Sequence, residues 1–156
     1  MALARDNLAT LYDRDYALWI EGTIAQLTAG DWAEIDRDHL IEELADMGRR
    51  ERLSLESNLV VILLHLLKWE FQPALRSGSW AGSITEHRRR VNRALETSPS
   101  LKNHLLTTWA DCYENARFQA AVETGLALDQ LPIDCPYSVE QVCDRAFWPG
   151  LPVNEG

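Results

Sequence analysis

The feature that most constrains this chain is the spacing of its apolar residues. They recur at intervals of three and four across nearly the whole length, broken by Gly, Pro and Ser. That period places them on one face of an α-helix. No segment alternates apolar and polar long enough to serve as a half-buried strand. The spacing therefore predicts an all-α chain.

Four main helices are predicted. The first runs from about Asp13 to Ala29, with Tyr12, Tyr16, Trp19, Ile20, Ile24 and Leu27 on its stripe. Thr10 or Asp13 can cap it, and Gly30 follows as a left-handed stop. The second begins near Asp36 and reaches Trp69 on the stripe Leu40, Leu44, Met47, Leu55, Leu59, Ile62 and Leu66. As one rod it is about 50 Å long, so a kink near Gly48 is expected. Beyond Val60 it is apolar almost all round, so this end is expected to be the most buried.

The third helix is placed at Trp80 to Ser83 onward, where Ser83 and Glu86 have capping-box spacing. Its stripe is Trp80, Ile84, Val91 and Leu95. The fourth starts with Ser98 as N-cap and Pro99 in the first turn, and Gly125 ends it. A short capped helix is predicted at Ser138 to Gln141. The architecture is a single-domain bundle of about four main helices over residues 1–156, with a long second helix, a short C-terminal helix, and loose ends at 1–9 and 150–156.

Composition narrows the class. The chain has 156 residues, of which 46% are hydrophobic and 25% charged, as in an ordinary globular domain rather than a disordered segment. The net charge of −9 disfavours whole-surface binding to nucleic acid. The three cysteines form no C-x-x-C pair, and an odd number argues against a disulfide framework. The start lacks an apolar signal-peptide core, and no apolar run reaches the length of a membrane span. A reduced, cytoplasmic protein away from membranes is the expectation.

Five ionisable residues lie on or beside the apolar stripes: Asp15, Glu43, His65, Arg88 and Glu123. Residues three and four apart share a helix face, so these five are expected to point inward. A buried charge is costly unless paired. Arg88 is therefore expected to meet Glu43, Glu123 or Asp15, and His65 a carboxylate. Such a network commonly serves only to fix register. On that reading, Arg88→Met moves stability little, or is rescued by a matched carboxylate change.

Other motifs are weaker. Asp36, His39 and Glu43 share a helix face and are the weak metal candidates, but acidic clusters arise readily at helix N-termini. No Glu-x-x-His pair, G-x-S-x-G elbow or glycine-rich phosphate loop is present. No metal and no cofactor is therefore assigned. Arg88, Arg89, Arg90 and Arg93 form the densest basic segment. In so acidic a chain it reads as a solvated face balanced by acids, and nucleic acid is not the expected partner.

The run Leu11-Tyr12-Asp13-Arg14-Asp15-Tyr16-Ala17-Leu18-Trp19 resembles the opening signature of domain-of-unknown-function family 29, a bacterial family. The resemblance continues through Glu42 to Gly48, His65 to Trp69 with Gln72-Pro73, and Ser79-Trp80 with Ile84. It extends over Pro99 to Leu101, Tyr113, Glu123 to Gly125, and Pro132 through Cys135 to Tyr137, so it covers roughly 11–149. It implies an all-α, cytoplasmic, bacterial protein and carries no activity. Its recurring positions match Asp15, Trp19, Glu43, His65, Lys68, Trp80, Arg88 and Glu123, but not His39, which weakens the metal reading.

Two functions follow. The favoured one is a non-enzymatic helical domain that binds a protein partner or itself. The alternative is a hydrolase or lyase in which His65 is the general acid/base. Glu43 or Glu123 would then orient it or hold a metal, and Arg88 would clamp an anion.

Overall fold

The computed structural model describes residues 7–150, and helices are its only regular elements. Of the expected loose ends at 1–9 and 150–156, residues 1–6 and 151–156 lie outside the described residues, whereas Asn7 caps a helix that already holds Leu8 and Ala9. By its contacts the chain divides into two compact units, residues 1–50 and 51–156.

In the first unit, α1 (Leu8–Arg14) and α2 (Tyr16–Ala29) replace the single first helix expected from the spacing. The break is at Asp15. Its backbone N–H closes α1 on the Leu11 carbonyl, and its carboxylate accepts the Leu18 N–H, 3.1 Å away, to open α2. An Asp carboxylate competes for backbone N–H groups, so at helical spacing it caps as readily as it pairs. Asp15 is exposed and is not an interior charge. Gly30, at φ 76°, ends α2 in the left-handed conformation as expected. Trp19 and Thr23 are the buried residues of α2.

The long helix α3 (Arg37–Phe71) runs uninterrupted through Gly48. Its stripe is buried only from Leu55 onward. Leu44 and Met47 are 58% and 57% exposed. The start of α3 meets α1 and α2 through polar bonds on Asp36 and Glu43 and the stack of His39 on Tyr12, which leaves these two side chains open.

The second unit holds the apolar core. Leu59, Ile62, Leu63, Leu66 and Leu67 are fully buried, as the all-round apolar pattern after Val60 predicts. Against them pack Ile84 and Val91 of α4 (Gly78–Thr97), and Leu105, Cys112, Ala116 and Ala120 of α5 (Leu101–Thr124). Helix α4 starts earlier than expected. Its N-cap is Ser77, which accepts the Trp80 N–H, so Ser83 lies inside the helix. Helix α5 starts later, because Ser98 closes α4 and Pro99 sits in the turn that follows. Gly125, at φ 73°, ends α5.

The chain then returns across the core. Tyr113 donates to the Pro132 carbonyl, and Arg117 donates to the carbonyls of Leu128 and Leu131. The short helix α6 (Val139–Cys143) carries the expected Ser138/Gln141 capping box, with both bonds made. No helix among the described residues is long and apolar enough to cross a membrane.

Candidate functional site

The densest set of polar and aromatic groups is in the first unit. Glu43, nearly two turns into α3, accepts the hydroxyls of Tyr12 at 2.5 Å and Tyr16 at 2.6 Å, one on each carboxylate oxygen. The break at Asp15 puts these two tyrosines on consecutive helices. Asp36, just before α3, accepts the Trp19 indole N–H at 3.0 Å and lies 2.6 Å from His39 Nδ1. Tyr12 stacks on His39 with centroids 3.9 Å apart and planes 17° from parallel.

The electrostatics follow these bonds. The two phenol bonds hold the Glu43 carboxyl below its usual range, and the same bonds push both phenols upward. Burial lifts the Asp36 carboxyl, but the bonds from His39 and Trp19 outweigh it and the net shift is downward. Asp36 in turn raises His39 above 6.5, against a smaller opposing effect of burial. A depressed acid stabilises the fold above its ordinary value, and a raised histidine does so below its own. The Asp36–His39 pair therefore contributes most between 3.8 and 6.5, losing strength as pH falls through the Asp36 value or rises through that of His39. The His39 midpoint, read by NMR titration of its ring protons, is expected above 6.5. Asp36→Asn is expected to bring it down to 6.5 or below.

The weak metal candidates Asp36, His39 and Glu43 are engaged with other groups. Asp36 and His39 bond each other, while Glu43 is taken by two tyrosines. Among the described residues no three His, Cys, Asp or Glu side chains are grouped to hold a metal ion.

The other sequence candidates lie in the second unit, each with local partners. Arg88 is 1% exposed and meets no carboxylate at ion-pair distance among the described residues. Its guanidinium donates to the carbonyls of Val142 at 2.8 Å, Phe147 at 2.8 Å and Gln141 at 3.3 Å, and lies over the Trp148 ring. Burial pulls its pKa down. The expected pairing with Glu43, Glu123 or Asp15 is thus replaced by backbone. A five-donor fork satisfies several carbonyls at once, which a single carboxylate does not require.

His65 donates from Nδ1 to the Val61 carbonyl, one turn back, rather than to a carboxylate. Glu123 is at the surface, paired at 2.7 Å with Lys68, which also lies 4.7 Å from the Trp80 ring centroid. Among the described residues of this unit, a histidine–carboxylate pair is formed by His104 with Glu56, at 2.6 Å. Sequence spacing gave no signal for it, because the residues are 48 apart and on different helices. In the basic segment, Arg89 and Arg90 both bond Glu86, whose carboxyl they pull down to about 2.

Neither a curated protein nor a solved structure matches the chain. The model of one family, described as domain of unknown function DUF29, matches residues 11–148, a span that includes Glu43 with both its tyrosines, the Lys68–Glu123 pair and the whole Arg88 clamp. With that match over most of its length, the chain belongs to the DUF29 family.

Proposed function

We propose that this protein is a non-catalytic, cytoplasmic helical module that docks a protein partner through the first unit. The observation that carries this reading is the exposed apolar surface of that unit. On α2, Ile20, Ile24 and Leu27 are exposed, and on the first turns of α3 so are Ile41, Leu44 and Met47. Exposed apolar side chains at helical spacing suit a helix-in-groove or helix-on-helix partner.

Charge selects the kind of partner. Residues 1–50 hold eleven acids against five arginines and no lysine. A partner with an apolar face and a basic rim complements this surface, whereas a second copy repeats the same surplus of acid. The hydrolase or lyase alternative needs Glu, His and Arg in one cluster. Here Arg88, His65 and Glu123 are each satisfied by separate neighbours of their own unit, and Glu43 by tyrosines of its own.

The test uses two labelled amphipathic peptides with the same apolar face and either Lys or Glu on the polar face. The Lys peptide is expected to bind the full chain with a Kd on the order of 10 μM, and the Glu peptide far more weakly. Ile24→Asp with Leu44→Asp is expected to weaken binding at least roughly tenfold with the circular dichroism unchanged. Equal binding of both peptides, or none, overturns the reading. A dimer in sedimentation that the same substitutions dissolve overturns the choice of occupant in favour of a second copy.

A further inference from the structure

Helix α4 presents two neighbouring i, i+4 rows. One row, Arg88 and Asn92, holds the last turn of α6 and the segment that follows it. Arg88 takes the carbonyls of Gln141, Val142 and Phe147, and Asn92 donates to the Cys143 carbonyl at 3.0 Å. The same segment is closed on itself, with the Asp144 carboxylate accepting the Ala146 N–H and the Asp144 carbonyl accepting the Phe147 N–H. Arg145 therefore projects from a turn fixed at both ends.

The second row is Arg89 and Arg93. With Arg145, Asn92, Leu95 and Glu96 they line a groove of about 620 Å³. Arg89 spends Nε and Nη2 on Glu86. Arg93 and Arg145 have no carboxylate partner among the described residues, although the chain as a whole has 24 acids to 15 bases. Glu96 lines the same groove and also has no ion-pair partner among the described residues.

We propose that this groove binds a small phosphomonoester that carries an amine. Two unpaired guanidinium groups, one on a helix and one on a clamped turn, offer the forked donors that a phosphate dianion takes bidentately. Glu96 takes the ammonium group, and Leu95 contacts the short carbon chain between the two charges. This site lies in the second unit and does not depend on the docking surface of the first.

The test is calorimetric titration of the full chain at constant ionic strength, with O-phosphoethanolamine and inorganic phosphate as probes. O-phosphoethanolamine is expected to bind saturably and roughly tenfold more tightly than phosphate. Arg93→Gln with Arg145→Gln is expected to weaken it at least roughly tenfold, and Glu96→Gln to erase its advantage over phosphate. Both variants change exposed side chains, and an unchanged thermal midpoint checks that they fold. The proposal is overturned by absence of saturation up to about 10 mM, by equal affinity in the double variant, or by phosphate matching the amine ester.

Discussion

Arg88→Met is expected to destabilise the second unit by roughly 3–5 kcal/mol, a large part of the stability of a domain this size. Met keeps much of the apolar stem and its packing beside Trp148. What it removes is the donor set. The carbonyls of Val142, Phe147 and Gln141 then lose their guanidinium bonds in a site where Arg88 itself is 1% exposed. The Gln141 carbonyl keeps the Asp144 N–H, so the loss falls on the carbonyls of Val142 and Phe147. A buried acceptor left without a donor costs about 1–3 kcal/mol, so losing two spans the stated range. The sequence expectation of a small effect, rescued by a matched carboxylate change, assumed a carboxylate partner. Among the described residues none is at ion-pair distance, and Asp144 supports the charge only at longer range. No carboxylate change is therefore expected to rescue the variant. Urea unfolding followed by circular dichroism measures it, and a midpoint equal to wild type would show that water satisfies these carbonyls.

The second large effect is in alkali. All four tyrosines are pushed above their ordinary value near 10. The cause for Tyr12 and Tyr16 is first the bond to the Glu43 carboxylate. For Tyr113, pushed up to about 12, it is first burial. For Tyr137 it is burial and then the bond to Glu70, 2.5 Å away. A phenol raised in the fold stabilises it fully below the unfolded value, and that contribution is lost as pH rises through the folded value. The folded chain is therefore expected to show little tyrosinate absorbance at a pH where the urea-unfolded chain, titrating near 10, is largely ionised. Folded-state ionisation is expected to come late and together with unfolding. Glu43→Gln separates the two causes. It is expected to return Tyr12 and Tyr16 toward 10 and leave Tyr113 and Tyr137 where they are. Four tyrosines titrating near 10 in the native chain would refute the bonding described for both units.

What the sequence made legible is what depends on period and punctuation. The long α3, its buried end beyond Val60, the stops at Gly30 and Gly125 and the Ser138/Gln141 box all follow from local rules. Partners were not legible. An Asp at stripe spacing looks the same whether it points inward or caps a new helix, and Asp15 does the latter. Arg88 is inward-facing as its spacing implied, but its partners are carbonyls, which every residue carries and no pattern marks. Tyr12, Tyr16 and Trp19 read as apolar stripe, while the polar ends of the same side chains bind Glu43 and Asp36. Periodicity likewise identifies the face holding Leu44 and Met47 without saying whether anything covers it.

The Arg88 clamp also sets a timetable for biosynthesis. Its acceptors lie 53 to 59 residues further along the chain. While the ribosome is still making α5, the guanidinium has only water to bind, and the faces of α3 and α4 wait for their cover. The second unit can close only once synthesis has passed Phe147, so a nascent chain stalled before that point would display its leucines to chaperones and proteases.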